Sequence, residues 1–323
     1  MKLLVILSVL ICTNIFANSK DLVELYRLHG IEKVQKELDR NLQKKEYWAN
    51  YLKDKDISKG YYESIDHILV CQKDMKNLKL YSRNGKGFKE EFSQSVFIGK
   101  GKGDKQVEGD LKTPVGTYEL TNRLSKNLDP FYGPLAFVTS YPNAYDKLQK
   151  KNGHGIWIHG LPKNGDREEF TQGCIALENK SIKKLNKKFD FKNSILMIEE
   201  KGKIKVSVED ISSVLAQVYQ WRDSWKNSDI DTYLSFYSDR FRKYGGMRYE
   251  QFKSYKRRLF SRNEAKSIDF EDINVMPYPN SDQKKIFKVM MKQNYQTKNY
   301  KSNDIKELYI ELEDDRMKIL TES

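Results

Sequence analysis

The spacing of apolar residues changes character twice along this 323-residue chain, and those changes divide it into parts that must fold differently. Leu22, Leu25, Tyr26, Leu28, Ile31, Val34, Leu38 and Leu42 recur at helical spacing among Lys, Glu and Gln. Gly30 predicts a break into two helices. So small a helical arm cannot bury its stripe alone; it packs on the next domain or pairs with a second copy of itself. From about residue 66 the pattern shortens to strands: Ile68–Cys71, Leu78–Tyr81, Ser95–Ile98, Ala136–Val138, Gly155–His159 and Ile195–Ile198, separated by Gly and Asn turns. Lys201-Gly202-Lys203 reads as a turn or short linker. Helical spacing then returns with Val214, Val218, Trp221 and Trp225, and Asp229 starts another helix. Residues 268–276, 284–294 and 305–320 alternate like strands. Helices followed by long strands indicate an α+β domain.

The N-terminus, MKLLVILSVLICTNIFANSK, has one lysine, an apolar run from Leu3 to Ile11, and a small residue closing Ile15-Phe16-Ala17. That is the layout of a cleaved secretory leader. A membrane anchor needs a longer apolar run, and Leu10-Ile11 before Cys12 lacks the small residues of a lipoprotein box. The expected organisation is a signal peptide over 1–17, a helical arm over 18–65, a mostly β domain over 66–206 and an α+β domain over 207–323. Loss of Lys2 takes the net charge from +13 to +12. For an exported chain, a basic surface favours acidic envelope polymers such as peptidoglycan stem peptides, or anionic lipid headgroups, over nucleic acid. No apolar run near membrane-spanning length follows the leader, which excludes a multi-span membrane protein. Three Cys exclude a disulfide scaffold, and the four His include no HExxH pair. Cys71 and Cys174 remain after cleavage, either bonded to each other or with one kept as a reactive thiol.

The residues that carry chemistry lie in His154-Gly155-Ile156-Trp157-Ile158-His159-Gly160 and Thr171-Gln172-Gly173-Cys174-Ile175-Ala176-Leu177. A strand ends in His159, and a Gly-Cys pair opens another strand-like run. A nucleophilic thiolate needs an imidazole or cation beside it. It also needs donors aimed at the developing oxyanion, and Gly173 leaves the backbone N–H groups of Gly173 and Cys174 unobstructed. No Asp or Glu is placed to orient His159, so the Gly160 carbonyl is the candidate for its ring N–H. On spacing alone, such a His and Cys are more often structural than catalytic.

Together with Gly109-Asp110-Leu111-Lys112-Thr113-Pro114-Val115-Gly116-Thr117-Tyr118 and Ser140-Tyr141-Pro142-Asn143-Ala144-Tyr145-Asp146, these segments resemble the L,D-transpeptidase (YkuD) catalytic domain. That family carries a GD-x-x-TP-x-G-x-[FY] hairpin and a His, then Ser/Thr-His-Gly-Cys. The resemblance covers roughly 66–200. Two positions depart from it. Gln172 stands where the family has His, and Ala176 stands where it has an Arg or Asn two residues after the Cys. Val218–Trp225 and Asp229–Tyr237 resemble the opening helices of NTF2-like domains. The combination resembles the LD-carboxypeptidases that set helical cell shape. The resemblance implies a mostly β YkuD-like catalytic domain between an N-terminal helical arm and a C-terminal α+β NTF2-like domain. It implies a periplasmic enzyme that removes D-Ala from stem tetrapeptides, with Cys174 as nucleophile and His159 as general base and acid. No metal or organic cofactor is then required. The rivals are a cross-linking or protein-attaching L,D-transpeptidase, a related amidase, and a non-catalytic wall-binding scaffold. A homodimer through the N-terminal helices is a further expectation.

Other residues carry weaker signals. His154 is a substrate contact or a structural histidine. Trp157 shares a face with His159 and belongs to the wall of the site or to the core. Thr171 and Gln172 are candidate substrate contacts. Cys71 sits in an apolar strand as a buried inert thiol. Gly99-Lys100-Gly101-Lys102-Gly103 lacks the ending of a P-loop and reads as a basic hairpin loop at the rim of the site. Lys253, Lys256, Arg257 and Arg258, with Tyr249, Phe252 and Tyr255 between them, read as the solvated face of an amphipathic helix or as a glycan or acidic-peptide contact. The Trp221 and Trp225 stripe reads as core.

Overall fold

The helical period at the start of the chain becomes α1 (Ser19–Leu42) and α2 (Lys45–Leu52). Gly30, at φ 76° and ψ 178°, interrupts α1 at the expected break. The computed structural model describes residues 19–162, 169–201 and 205–323. The expected leader and most of the turn at Lys201–Lys203 lie outside the described residues. Trp48 and Leu52 of α2 enter the C-terminal core, with Trp48 stacked on Tyr219 at 5.7 Å between ring centroids. Val23, Tyr26, Leu28 and Ile31 of α1 remain exposed. The arm then ends in a short strand, β1 (Tyr61–Tyr62), which joins the C-terminal sheet.

The middle of the chain supplies β2 (His67–Gln72), β3 (Asn77–Asn84), β4 (Gly87–Ser95), β5 (Gly116–Leu124), β6 (Ala136–Thr139), α3 (Ala144–Leu148), β7 (Trp157–His159), β8 (Ile175–Ala176), α4 (Asn179–Asn186) and β9 (Ser194–Glu199). The strands form one sheet in the order β4-β3-β2-β9-β5-β6-β7-β8. β2 and β9 run parallel, with Ile68 beside Ile195. Both are unbroken apolar runs because both of their faces are covered. Leu69, Cys71, Leu196 and Ile198 point into the core of the β domain. Ile68, Val70, Ile195 and Met197 pack on Tyr62 and Met276, which belong to the C-terminal sheet. β4 is an edge strand whose Lys89, Glu90 and Glu91 are exposed, so its sequence lacks an apolar signal. The strand expected over Ser95–Ile98 is instead the end of β4 followed by an isolated bridge from Phe97 to Ala176.

The last third forms α5 (Val208–Lys226), α6 (Ile230–Ser235), α7 (Tyr249–Phe260), β10 (Lys266–Pro277), β11 (Ile286–Thr297), β12 (Lys301–Glu313) and β13 (Arg316–Glu322). Ser207 and Asp210 close a reciprocal capping box at the start of α5. Asp229 caps α6, accepting from the Thr232 N–H at 3.1 Å. The sheet order is β1-β10-β11-β12-β13, and Ile211, Val214, Leu215, Val218 and Trp221 of α5 share one core with it. The segment expected as a single strand over 305–320 is a hairpin. Asp314 and Asp315 turn it at φ 46° and 64°, both in the left-handed region.

Buried charge joins the two sheets. Lys288 of β11 is fully buried and pairs with Glu119 of β5 and, at 3.0 Å, with Glu307 of β12. Burial alone would lower the Lys288 ammonium, but these two carboxylates hold it above its usual range. Nearby, Tyr278 donates to Asp146 at 3.3 Å, and Lys151 reaches Asp146 at 2.9 Å and Asp104 at 2.6 Å.

Candidate active site

Strand pairing explains why residues distant in sequence meet here. β7 and β8 are parallel neighbours, and the Leu177 N–H donates to the His159 carbonyl at 2.9 Å. The end of β7 and the entry to β8 therefore lie side by side. His159 and Cys174 line one cleft of about 740 Å³, together with His154, Thr171 and Gln172.

His159 is buried, and its Nδ1 lies 2.6 Å from the Gly160 carbonyl oxygen. A carbonyl only accepts, so this contact places the proton on Nδ1 and leaves Nε2 as the basic atom. The Tyr132 ring stands edge-on to the imidazole at 5.1 Å. Burial, with Cys174 and Asp129 nearby, holds the Tyr132 phenol above its usual range. Cys174 is half-buried and not disulfide-bonded, and its Sγ is 3.3 Å from the Gly155 carbonyl oxygen.

The turn before Cys174 is tied by its own side chain. Thr171 Oγ1 donates to the Cys174 carbonyl at 2.6 Å and accepts the Gly173 N–H at 3.0 Å. This corrects two expectations. The Gly173 N–H is directed at a hydroxyl and not at the cleft, because the three-residue turn closes on itself. The Thr171 hydroxyl is spent on that turn and not on a ligand. Gly173 has φ 135°, and a Cβ there would lie 2.8 Å from the Lys112 carbonyl oxygen, so no other residue fits without strain.

The remaining expected positions sort as follows. His154 lies at the rim, its Nε2 3.7 Å from Glu108 Oε1, and both side chains are largely exposed. It shares the cleft with His159 because β7 begins only at Trp157, while Gly153 and Gly155 take φ 102° and 69° before it. Gln172 lines the cleft. Trp157 lies outside the lining and packs against Tyr132 at 4.7 Å. Ala176 is fully buried. Cys71 is a free thiol, pushed up to about 12 by burial, so the alternative of a Cys71–Cys174 disulfide does not hold.

Two expectations about basic segments change. Gly99–Gly103 is not a hairpin loop: Gly99 bridges Thr171 and Gly101 bridges Lys112, so the segment runs extended beside the site. Lys100 lies over the Phe170 ring at 4.8 Å, and Phe170 lines the cleft. On α7, Lys256 is not on a solvated face but lies 4.9–5.2 Å from the ring centroids of Trp225, Tyr233 and Phe252. Burial pushes its ammonium down to about 8.

Sequence reasoning missed Tyr132, Lys105 and Glu108, all of which line the cleft. The Gly109-Asp110 pair offered the clue. The Asp110 carboxylate accepts the N–H groups of Gln106, Val107 and Lys112 at 2.8, 3.2 and 3.1 Å, and Lys105 Nζ at 2.7 Å. Burial would raise this carboxyl, but Lys105 and the three N–H donors outweigh it and bring it down to about 2. Asp110 thereby shapes the loop that forms one wall.

Comparison with known proteins agrees with this architecture. The L,D-transpeptidase catalytic-domain (YkuD) model matches residues 66–206, and the Cds6 C-terminal NTF2-like domain model matches residues 213–323. The helical cell shape determining protein Pgp2 from Campylobacter jejuni is 43% identical, with a TM-score of 0.82 over 87% of this chain and 100% of that one. Bd1075 of Bdellovibrio bacteriovorus is 28% identical, with a TM-score of 0.66 over 82% of this chain and 96% of that one. YafK of Escherichia coli K12, whose L,D-transpeptidase activity is itself an inferred assignment, is 28% identical over 185 residues. That alignment spans 56% of this chain and 65% of YafK.

Proposed function

Because this chain belongs to the L,D-transpeptidase (YkuD) family, in the form that carries a C-terminal NTF2-like domain, we propose that it is a peptidoglycan LD-carboxypeptidase that affects cell shape. The observation that carries this reading is the shared cleft of Cys174 and His159, with His159 Nδ1 held by the Gly160 carbonyl.

In this reading His159 Nε2 takes the Cys174 proton, and the sulfur attacks the carbonyl on the L-centre of diaminopimelate in a stem tetrapeptide. The Cys174 N–H supports the oxyanion. As the C–N bond breaks, His159 protonates the departing amine of D-Ala. Water then attacks the thioester, with His159 again accepting a proton, and the tripeptide leaves with a new carboxylate. His154 and Gln172 are the proposed stem-peptide contacts. Ala176, buried where the family has an Arg or Asn, argues against the usual cross-linking pose. The basic composition suits a substrate rich in carboxylates, and the apolar N-terminal run supports export to the periplasm. The exposed Val23, Tyr26, Leu28 and Ile31 stripe on α1 supports a homodimer through the N-terminal helices. Analytical ultracentrifugation of the mature chain and of a Leu28→Lys, Ile31→Lys variant tests that point.

Mass spectrometry of muropeptides incubated with the purified mature chain tests the activity. Tripeptides and free D-Ala are expected, with no effect of EDTA. Cross-linked dimers indicate the transferase alternative. Binding to sacculi without turnover indicates the scaffold.

A further inference from the structure

The His159 imidazole is oriented by a peptide carbonyl, and a carbonyl is only as well placed as the plane it belongs to. The Gly160 C=O and the Leu161 N–H are opposite ends of one rigid trans peptide unit. Holding the N–H therefore aims the C=O. The Leu161 N–H donates to Asn179 Oδ1 at 2.9 Å. In return, Asn179 Nδ2 donates to the Leu161 carbonyl at 2.9 Å. The preceding peptide unit is fixed as well, because the Gly160 N–H donates to the Tyr132 and Leu135 carbonyls at 3.0 and 3.1 Å. The approach is so close that a Cβ on Gly160 would stand 2.4 Å from Asn179 Oδ1.

We propose that Asn179 is a positioning residue for the catalytic pair, acting through the Leu161 N–H to keep the Gly160 carbonyl on His159 Nδ1. Its location adds a second consequence. Asn179 opens α4 five residues after Cys174, so the segment that carries the nucleophile also clamps the turn that orients the base. The thiol and the imidazole are thus held in relation to each other by backbone, and no carboxylate is required behind the histidine. With Nδ1 properly engaged, Nε2 is the atom left to accept the thiol proton.

The test compares Asn179→Ala and Asn179→Asp in the mature chain. Aspartate keeps an acceptor for the Leu161 N–H and loses only the donor to the Leu161 carbonyl; alanine loses both. Two readouts are needed, because the effect on turnover rests on the hydrolase reading whereas the geometric role does not. The first is kcat and KM for D-Ala release from tetrapeptide muropeptides. The second is the pH profile of Cys174 alkylation by iodoacetamide, which requires no substrate. For Asn179→Ala, kcat is expected to fall roughly 10- to 100-fold at unchanged KM. Its alkylation profile is expected to move to higher pH, while Asn179→Asp stays close to the parent in both. The inference is overturned if folded Asn179→Ala keeps the parent's alkylation profile, or if folded Asn179→Asp loses as much as alanine does. Should alanine fail to fold, the aspartate arm decides alone. If the parent releases no D-Ala while the alkylation profiles separate as expected, the positioning role stands and the hydrolase reading falls.

Discussion

Replacing Asp110 with Asn probes the wall of the cleft without touching the reacting groups. The substitution preserves shape and an acceptor oxygen but removes the charge opposite Lys105, whose side chain is only 4% exposed. The Asp110 carboxyl lies at about 2 against an ordinary 3.8, and at about 1.4 kcal/mol per unit this sets an upper bound of about 2.5 kcal/mol. Solvent screening at the edge of the cleft brings the expected loss for Asp110→Asn to about 1–2 kcal/mol at pH 7. The pH dependence is the sharper test. The group is depressed in the folded state, so its contribution is complete above the unfolded value and disappears as pH falls toward the folded one. At pH 3 the unfolded chain is mostly protonated at this residue and the folded chain is not, and about half of the contribution remains. Urea denaturation of parent and variant at pH 7 and pH 3 gives the two differences directly. Equal differences at both pH values, or none at pH 7, would refute the assignment of a strongly held carboxylate to this loop.

Cys174→Ala should abolish D-Ala release while leaving the melting temperature close to the parent's, since the thiol is only half-buried; retained turnover would remove Cys174 from the mechanism. Gly173→Ala should cost about 1–3 kcal/mol in urea titrations and slow Cys174 alkylation, because φ 135° and the Lys112 carbonyl leave no room for a Cβ. Lys288→Met should cost about 2–4 kcal/mol, since it leaves the partly buried carboxylates of Glu119 and Glu307 facing each other without their cation. Adding Glu119→Gln and Glu307→Gln should recover much of that loss in the same titration. Replacing Asp314 alone with Asn, which suits the left-handed region, should raise the urea midpoint slightly without altering D-Ala release, while Asp315 stays in place because its carboxylate pairs with Lys45 at 2.6 Å.

Much of this architecture is legible in the residues. The Gly30 break, the Asp229 cap and the double-sided burial of Ile68–Cys71 and Ile195–Ile198 are local signals that tertiary structure leaves intact. The His159 to Gly160 contact was accessible for the same reason, because it joins adjacent residues. What escaped depends on neighbours distant in sequence, or on a chemical group with two uses. Gly173 reads as an open oxyanion donor until the Thr171 hydroxyl closes on its N–H. Tyr132 reaches the imidazole only because β6 lies beside β7, which no apolar period announces. The turn at Asp314-Asp315 hid because two acidic residues occupy positions where Asn and Gly are the familiar signal. The polar edge strand β4 hid because an exposed edge does not need an apolar face.

The ammonium of Lys288 has a consequence for how this protein can change over generations. One of its counter-charges belongs to the sheet that carries the His159–Cys174 cleft and the other to its own sheet, so neither unit can drift there without a matching step in the other. Splitting the gene between them would leave one product with an orphaned carboxylate and an oily flank, and the other with a cation that keeps only Glu307 as its counter-charge. The two units are therefore joined by packed apolar side chains and a shared buried charge, not by a tether.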